Sequence, residues 1–199
     1  KYIVGTYAVV TSASELKTAI SLKQNIYLAN DIDFANVSDL DGKSKSLSFG
    51  DFRKEFLGNG HKISNFSISY SANRADLIED FEDSSKKSLA ISLFGQTDGA
   101  KIKDVVFENV SVDISILAGY NDIYKIYFAP LSVSATNTEI SKVTFSGNIT
   151  VTSLPNQIAA DQANRLIVKL TEAVCFKDDL TTVTGFTSEL TYTPLNSEE

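Results

Sequence analysis

The chain of 199 residues has no methionine, no tryptophan, one cysteine and one histidine. A lone Cys175 cannot close an intramolecular disulfide, and no histidine or cysteine cluster accompanies it to suggest a zinc site. It is expected to be a buried small hydrophobe. His61, the only imidazole, stands far from it in sequence without a supporting motif, so a thiol–imidazole pair is not indicated. No apolar run approaches the roughly 18 residues that a membrane-spanning helix needs, so this segment is not expected to insert into a bilayer. Basic residues are outnumbered, 18 against 25 acidic, and the net charge of -7 disfavours phosphate backbones and anionic membranes as partners. Nucleic acid is therefore not an expected partner. The start at Lys1 carries no initiator methionine or signal peptide, and the absence of methionine suggests a segment or a processed form.

What is present is a hydrophobic content of 43% in a chain long enough to bury one sizeable core, so residues 1–199 are expected to form one domain. The first punctuated element is Ser12-Ala-Ser-Glu15-Leu16-Lys-Thr-Ala19-Ile20. Ser12 and Glu15 have capping-box spacing, and Leu16 and Ile20 share a helical face, which predicts a short amphipathic helix over about 12–21. In the following Asn25 to Phe34, Ile26, Leu28, Ile32 and Phe34 alternate on one face while Asp31 and Asp33 fall on the other, the period of a strand. The spans Ser38 to Asp51, Ser71 to Ser88, Gly119 to Lys125 and Leu154 to Arg165 are polar or irregular and read as protruding loops. Between Gln157 and Val174 a loop followed by a strand is favoured over a helix, and residues 193–199 read as a polar tail.

Short β-rich runs separated by Asn, Asp, Gly and Ser resemble one another along the chain. Ile63-Ser-Asn65-Phe66-Ser-Ile68 aligns with Ile102-Lys-Asp104-Val105-Val-Phe107, 39 residues on, and then with Ile140-Ser-Lys142-Val143-Thr-Phe145, 38 residues further. Leu180-Thr-Thr-Val183-Thr-Gly-Phe186 is a weaker fourth copy, and Glu108-Asn109-Val110 sits beside Gly147-Asn148-Ile149. Self-similarity at a fixed period is the mark of a solenoid, and the strand-like content makes it a β-solenoid with coils over about 25–192. Asn65, Asn109 and Asn148 begin glycosylation sequons, as does Asn36. At repeat corners, however, asparagine is better explained by its tolerance of left-handed backbone and by stacking on its equivalent in the next coil.

Phe56-Leu-Gly58-Asn-Gly60-His61-Lys-Ile63-Ser-Asn65-Phe66 resembles the F-x-G-x-G-H-x-I-x-N-L opening of pectin-lyase-like β-helices. Leu93-Phe94-Gly95 through Asp104-Val105 is similar to the GLUG motif of bacterial surface proteins and adhesins, with Ser92 in place of its first glycine and Ala129-Pro130-Leu131 where a second copy would fall. The resemblance covers roughly residues 9–151. It implies an all-β fold, a single-stranded right-handed parallel β-helix with the short helix as its N-terminal cap. It also implies an extracellular or cell-surface location, anchored by lipid or cell wall outside this segment. Fold alone does not fix function.

Three functions are weighed. The favoured one is a non-catalytic scaffold or adhesin-like domain binding a glycan or a cell-surface protein. Tyr120, Tyr124 and Tyr127 around Asn121-Asp122 are its candidate ligand-binding residues, since such rings can stack on sugars or on a protein partner. The second is a polysaccharide lyase or glycoside hydrolase, which needs paired carboxylates or a calcium site with a basic residue. Asp31, Asp33, Asp39 and Asp41 are its candidates, with calcium as the one cofactor considered and Arg53 or Lys54 as the base from a neighbouring coil. For these aspartates the alternative is a solvated strand face and an ordinary Asp41-Gly42 turn, and for His61 it is a side chain that braces its glycine turn. Gly58-x-Gly60 lacks the third glycine and the helix of a dinucleotide site. The third function is an inert stalk.

Overall fold

A computed structural model describes residues 6–35, 37, 45–72, 77–116, 123–153, 167–168 and 172–193. The described residues are mostly strand, with one short helix. In chain order they form β1 (Tyr7–Val10), α1 (Ala13–Ser21), β2 (Asn25–Leu28), β3 (Ile32–Asp33), β4 (Gly50–Phe52), β5 (Glu55–Leu57), β6 (Lys62–Ser64), β7 (Ser67–Ala72) and β8 (Ile78–Glu79). There follow β9 (Lys87–Ile91), β10 (Phe94–Asp98), β11 (Lys101–Ile116), β12 (Ile123–Phe128), β13 (Ser132–Thr136), β14 (Glu139–Ser153), β15 (Ile167–Val168), β16 (Val174–Lys177) and β17 (Thr182–Thr193).

The helix forms where its capping residues stand. Ser12 Oγ accepts from the Glu15 N–H at 3.3 Å, while Glu15 Oε2 accepts from the Thr11 N–H at 2.7 Å. Its buried face, Ala13, Leu16 and Ala19, joins the main core. The sequence did not single out β1, which precedes the helix and pairs in parallel with β2.

The strands lie in three sheets. The first runs β1-β2-β5-β11-β14-β17, with β3, β6 and β7 beside it; the second runs β16-β13-β10-β4, and the third β15-β12-β9-β8. Every pairing between these strands is parallel except the short β8–β9 hairpin. The chain visits the third, second and first sheets in that order three times: β9, β10, β11, then β12, β13, β14, then β15, β16, β17. Alternate residues point into one core, where Phe34, Phe66, Phe107 and Phe145 make a column with successive ring centroids 6.1, 6.1 and 5.8 Å apart. Each ring is close enough for edge and tilted aromatic contact with the next.

The long strands bend where a residue adopts left-handed backbone. Asp104 (φ 54°), Lys142 (φ 53°) and Gly185 (φ 63°) precede the paired Val105, Val143 and Phe186, so three successive strands turn at one level. A second bend lies at Asn65 (φ 60°) and Asn109 (φ 52°), and there the asparagines do stack: Asn109 Nδ2 donates to Asn65 Oδ1 at 2.5 Å, and Asn65 Nδ2 to Asp33 Oδ1 at 2.7 Å.

Several expected alignments shift. Ile63 pairs with Phe107, and it is Phe56 that pairs with Ile102, because Gly58, Asn59 and Gly60 add a turn that splits this copy. Gly58 has no room for a side chain, since a Cβ would strike the Asp104 carbonyl and Val105. Asn148 does not take the corner: Asn109 is the extra residue of a bulge, so Ser111 stands opposite Asn148. In the weaker copy it is Val183 that faces Ile140, and Leu180 is exposed. Three presumed loops are partly strand, and Ser71 to Ser88 takes in the end of β7, all of β8 and the start of β9. Leu47 and Phe49 are buried ahead of β4, and Ile123 to Lys125 open β12. The expected tail overlaps β17 at Thr193, and residues 194–199 lie outside the described residues.

Candidate functional site

The most organised polar cluster lies beside the third sheet, in the turn joining β8 to β9. Asp80 begins it. Its Oδ1 accepts from the backbone N–H of Glu82 at 2.9 Å and of Asp83 at 3.1 Å, the Asx-turn chemistry expected of aspartate at a tight turn. Its Oδ2 reaches inward and accepts from Ser88 Oγ at 2.6 Å and from the Tyr127 hydroxyl at 2.8 Å. Asp80 is only 3% exposed and Tyr127 fully buried. Burial pushes the Asp80 carboxyl up, but the hydrogen bonds from Ser88, Glu82, Tyr127 and Asp83 outweigh it and bring it down to about 2. Burial, then the bond to Asp80, raises the Tyr127 phenol well above its usual range.

That anchor fixes the next residue in space. Phe81 lies over Phe176 with centroids 3.2 Å apart and planes 22° apart, and meets Tyr127 edge-on at 5.8 Å. Despite these contacts Phe81 remains 47% exposed, and Tyr124 is 41% exposed. Lys125, next to Tyr124 in β12, pairs with Glu82, next to Phe81 in the turn, and sets its Nζ 5.2 Å from the Tyr124 ring centre. The Glu82 partner raises the Lys125 ammonium above its ordinary value, so it stays charged. The result is two exposed aromatic rings, each next in sequence to one member of an ion pair, one on a locked turn and the other on a strand.

This changes the roles of the tyrosines expected from the sequence. Tyr124 is at the surface. Tyr127 is fully buried: Ile126 and Phe128 on either side of it face the main core, so Tyr127 lies on the opposite face of β12, where Phe81 and Phe176 cover it and its hydroxyl serves Asp80. Tyr120 lies outside the described residues. Cys175 is buried beside Tyr127 and Ala129.

The acidic candidates are engaged elsewhere. Asp31 and Asp33 flank buried Ile32 and point outward, as the alternation requires. Asp31 Oδ1 accepts from the Lys62 N–H at 3.0 Å and lies 3.0 Å from His61 Nδ1; these bonds lower its carboxyl, that of Lys62 most. Asp33 is lowered by the Asn65 amide and then the Ala35 N–H. Each therefore continues the cross-strand ladder. Asp39 and Asp41 lie outside the described residues, and among the described residues no group of three or more His, Cys, Asp or Glu side chains is placed to hold a metal ion. Arg53 turns to Asp98, at 3.7 Å, rather than to the aspartates.

Sequence reasoning missed Asp80, Phe81 and Phe176. Asp80-x-x-Asp83-x-Ser85 is turn chemistry, and it could have marked a built turn within a span read as irregular. The stacking of Phe81 on Phe176 joins residues distant in sequence and leaves no periodic trace. No family model, curated protein or solved structure matches this chain.

Proposed function

We propose that this chain is a right-handed parallel β-helix that serves, at a cell surface or outside the cell, as a non-catalytic scaffold holding a neutral glycan on Phe81 and Tyr124. The solenoid reading draws support from the threefold visit to three parallel sheets in a constant order, since parallel crossovers are overwhelmingly right-handed. Kinship with GLUG-motif and pectin-lyase-like surface proteins belongs to the same proposal and rests on the Phe56 to Phe66 string.

The observation that carries the binding function is Phe81, an aromatic ring left half in solvent yet fixed by a stack on Phe176 and an anchored turn. A ring face is the negative end of its quadrupole and attracts the weakly positive C–H edges of a sugar, and a ring already immobilised loses little entropy on binding. Lys125 is paired with Glu82 and Lys87 with Glu79, so these cations are already engaged. The chain's net charge of -7 would repel polyanionic glycans, which favours a neutral one. A catalytic function draws less support, because the lowered carboxyls of Asp31 and Asp33 do not supply a proton donor near neutral pH.

The test is retention of neutral cello- and manno-oligosaccharides, with polygalacturonate and a matrix glycoprotein alongside, scored for product release with calcium or chelator. The expected result is retention of the neutral sugars without product, weakened at least about tenfold by Phe81→Ala or Tyr124→Ala. Calcium-dependent product would establish the enzyme instead, and no retention of any probe would leave a stalk.

A further inference from the structure

Basic residues are outnumbered in this chain, yet three of them line one cleft. It lies between the end of α1 and the corner that joins β4 to β5, and its volume is about 400 Å³. That falls within the roughly 300–1,000 Å³ of small-molecule sites. Ile20, Phe49 and Phe52 form its apolar wall, and Lys23, Arg53 and Lys54 supply the positive charge. Asp51, the one carboxylate among the lining residues, is engaged: its Oδ1 accepts from the Gln96 N–H at 3.0 Å.

Two of these cations stand where the fold favours another residue. α1 closes in a Schellman arrangement, with the Lys23 N–H donating to the Ile20 carbonyl and the Gln24 N–H to that of Ala19, both at 3.0 Å. Lys23 thereby holds left-handed backbone (φ 51°), a place usually taken by glycine because a Cβ is strained there. Lys54 departs from the pattern of its corner. The Lys101 N–H donates to the Lys54 carbonyl, that of Glu139 to Ala100 and that of Thr182 to Thr138, which sets Lys54, Ala100 and Thr138 at one level of adjacent connections. Ala100 and Thr138 are small and buried, whereas Lys54 is long and exposed. Among the described residues no carboxylate forms an ion pair with Lys23 or Lys54. The Asp98 partner of Arg53 stands 3.7 Å away, beyond hydrogen-bond reach, so the guanidinium donors remain available. A cation just past a helix C-terminus also meets the negative end of the helix dipole, but that accounts for Lys23 alone.

The geometry points to this cleft as a binding site for a small organic monocarboxylate with an apolar body. Arg53 presents a planar fork of N–H donors that matches the two carboxylate oxygens, and the ammonium groups of Lys23 and Lys54 add charge at the same rim. The body of the ligand rests on Ile20, Phe49 and Phe52. A single negative charge is favoured, because three cations against Asp51 and Asp98 leave one net positive charge at the cleft, while the chain's net charge of -7 repels polyanions. The cleft shares no residue with the Phe81 and Tyr124 surface, so the inference stands apart from the glycan reading.

Titration of the full chain with phenylacetate, followed by nuclear magnetic resonance, tests this, with phenylacetamide and inorganic phosphate alongside. The expected result is saturable shifts at the Lys23, Arg53 and Lys54 amides with phenylacetate, and an affinity that falls with salt. Binding should be at least about tenfold weaker for phenylacetamide, and for phenylacetate in Arg53→Gln. Lys23→Gly removes a charge yet keeps the left-handed turn, so it should weaken binding without lowering the thermal midpoint. A Lys23 needed only to close the helix would leave binding unchanged. Absence of saturable shifts at these residues, an amide that binds as well as the acid, phosphate that binds more tightly, or affinity unchanged in Arg53→Gln and Lys23→Gly would each overturn the inference.

Discussion

Removing the Asp80 carboxylate by Asp80→Ala strips four hydrogen-bond acceptor contacts at once: two from the turn N–H groups and two from Ser88 and Tyr127. The turn donors can recover water, but the Tyr127 hydroxyl and Ser88 are buried and keep their desolvation cost. An unsatisfied buried polar group costs about 1–3 kcal/mol, and two of them place the loss at about 2–6 kcal/mol at neutral pH. Tyr127→Phe removes only one donor to the charged group and is expected to cost about 1.5–3 kcal/mol. The double variant should cost less than the sum, because both changes break one network.

The same carboxylate carries a pH signature. Its folded value, about 2, lies below the unfolded value of 3.8, so its stabilisation is complete above the unfolded value and is lost as pH falls through the folded one. The difference corresponds to about 2 kcal/mol. Urea unfolding across the acid range, with constant slope as the check on two-state behaviour, should show this loss in wild type and its absence in Asp80→Ala. A change at neutral pH under about 0.5 kcal/mol, within the range of an ordinary surface substitution, would refute the network. An acid limb identical in the two proteins would refute the assignment of Asp80.

Gly147→Ala should destabilise by about 1–3 kcal/mol, since a Cβ there would run into the Val110 carbonyl across the bulge, and thermal unfolding reads it. Asn65→Gly keeps the left-handed backbone but loses the bonds to Asp33 and Asn109, whereas Asn65→Ala also strains φ 60°. The alanine variant should therefore be the less stable by about 1 kcal/mol in denaturant titrations. Leu16→Ala empties a fully buried site under α1 and should cost about 2–5 kcal/mol, while Ser12→Ala, losing only the cap, should cost about 1 kcal/mol by the same measurement.

The sequence disclosed features whose cause is local. Ser12 and Glu15 announced α1, and period-two alternation placed Ile26, Leu28, Ile32 and Phe34 inside with Asp31 and Asp33 outside. The recurring Asp104 and Lys142 corners were visible as breaks in that alternation and coincide with left-handed backbone. Register was less legible, because a bulge at Asn109 and the extra turn at Gly58 to Gly60 change spacing without disturbing which face each apolar residue takes. Tyr127 looked like its neighbour Tyr124 because composition does not reveal what covers a ring: Tyr127 lies on the face of β12 away from the main core and is buried there by Phe81 and Phe176, which are distant in sequence. Phe81 escaped because its place depends on Phe176 and on a carboxylate bonded to two other strands of the third sheet.

The central claim, a glycan held on a prebuilt aromatic platform, is tested most directly by titrating the isotope-labelled chain with cello-oligosaccharide and following its nuclear magnetic resonances. The account predicts saturable shifts concentrated at the Phe81 and Tyr124 rings and the Lys125 amide. Shifts centred instead on Asp31, His61 and Lys62, or none at any of these positions with any neutral oligosaccharide, would contradict it.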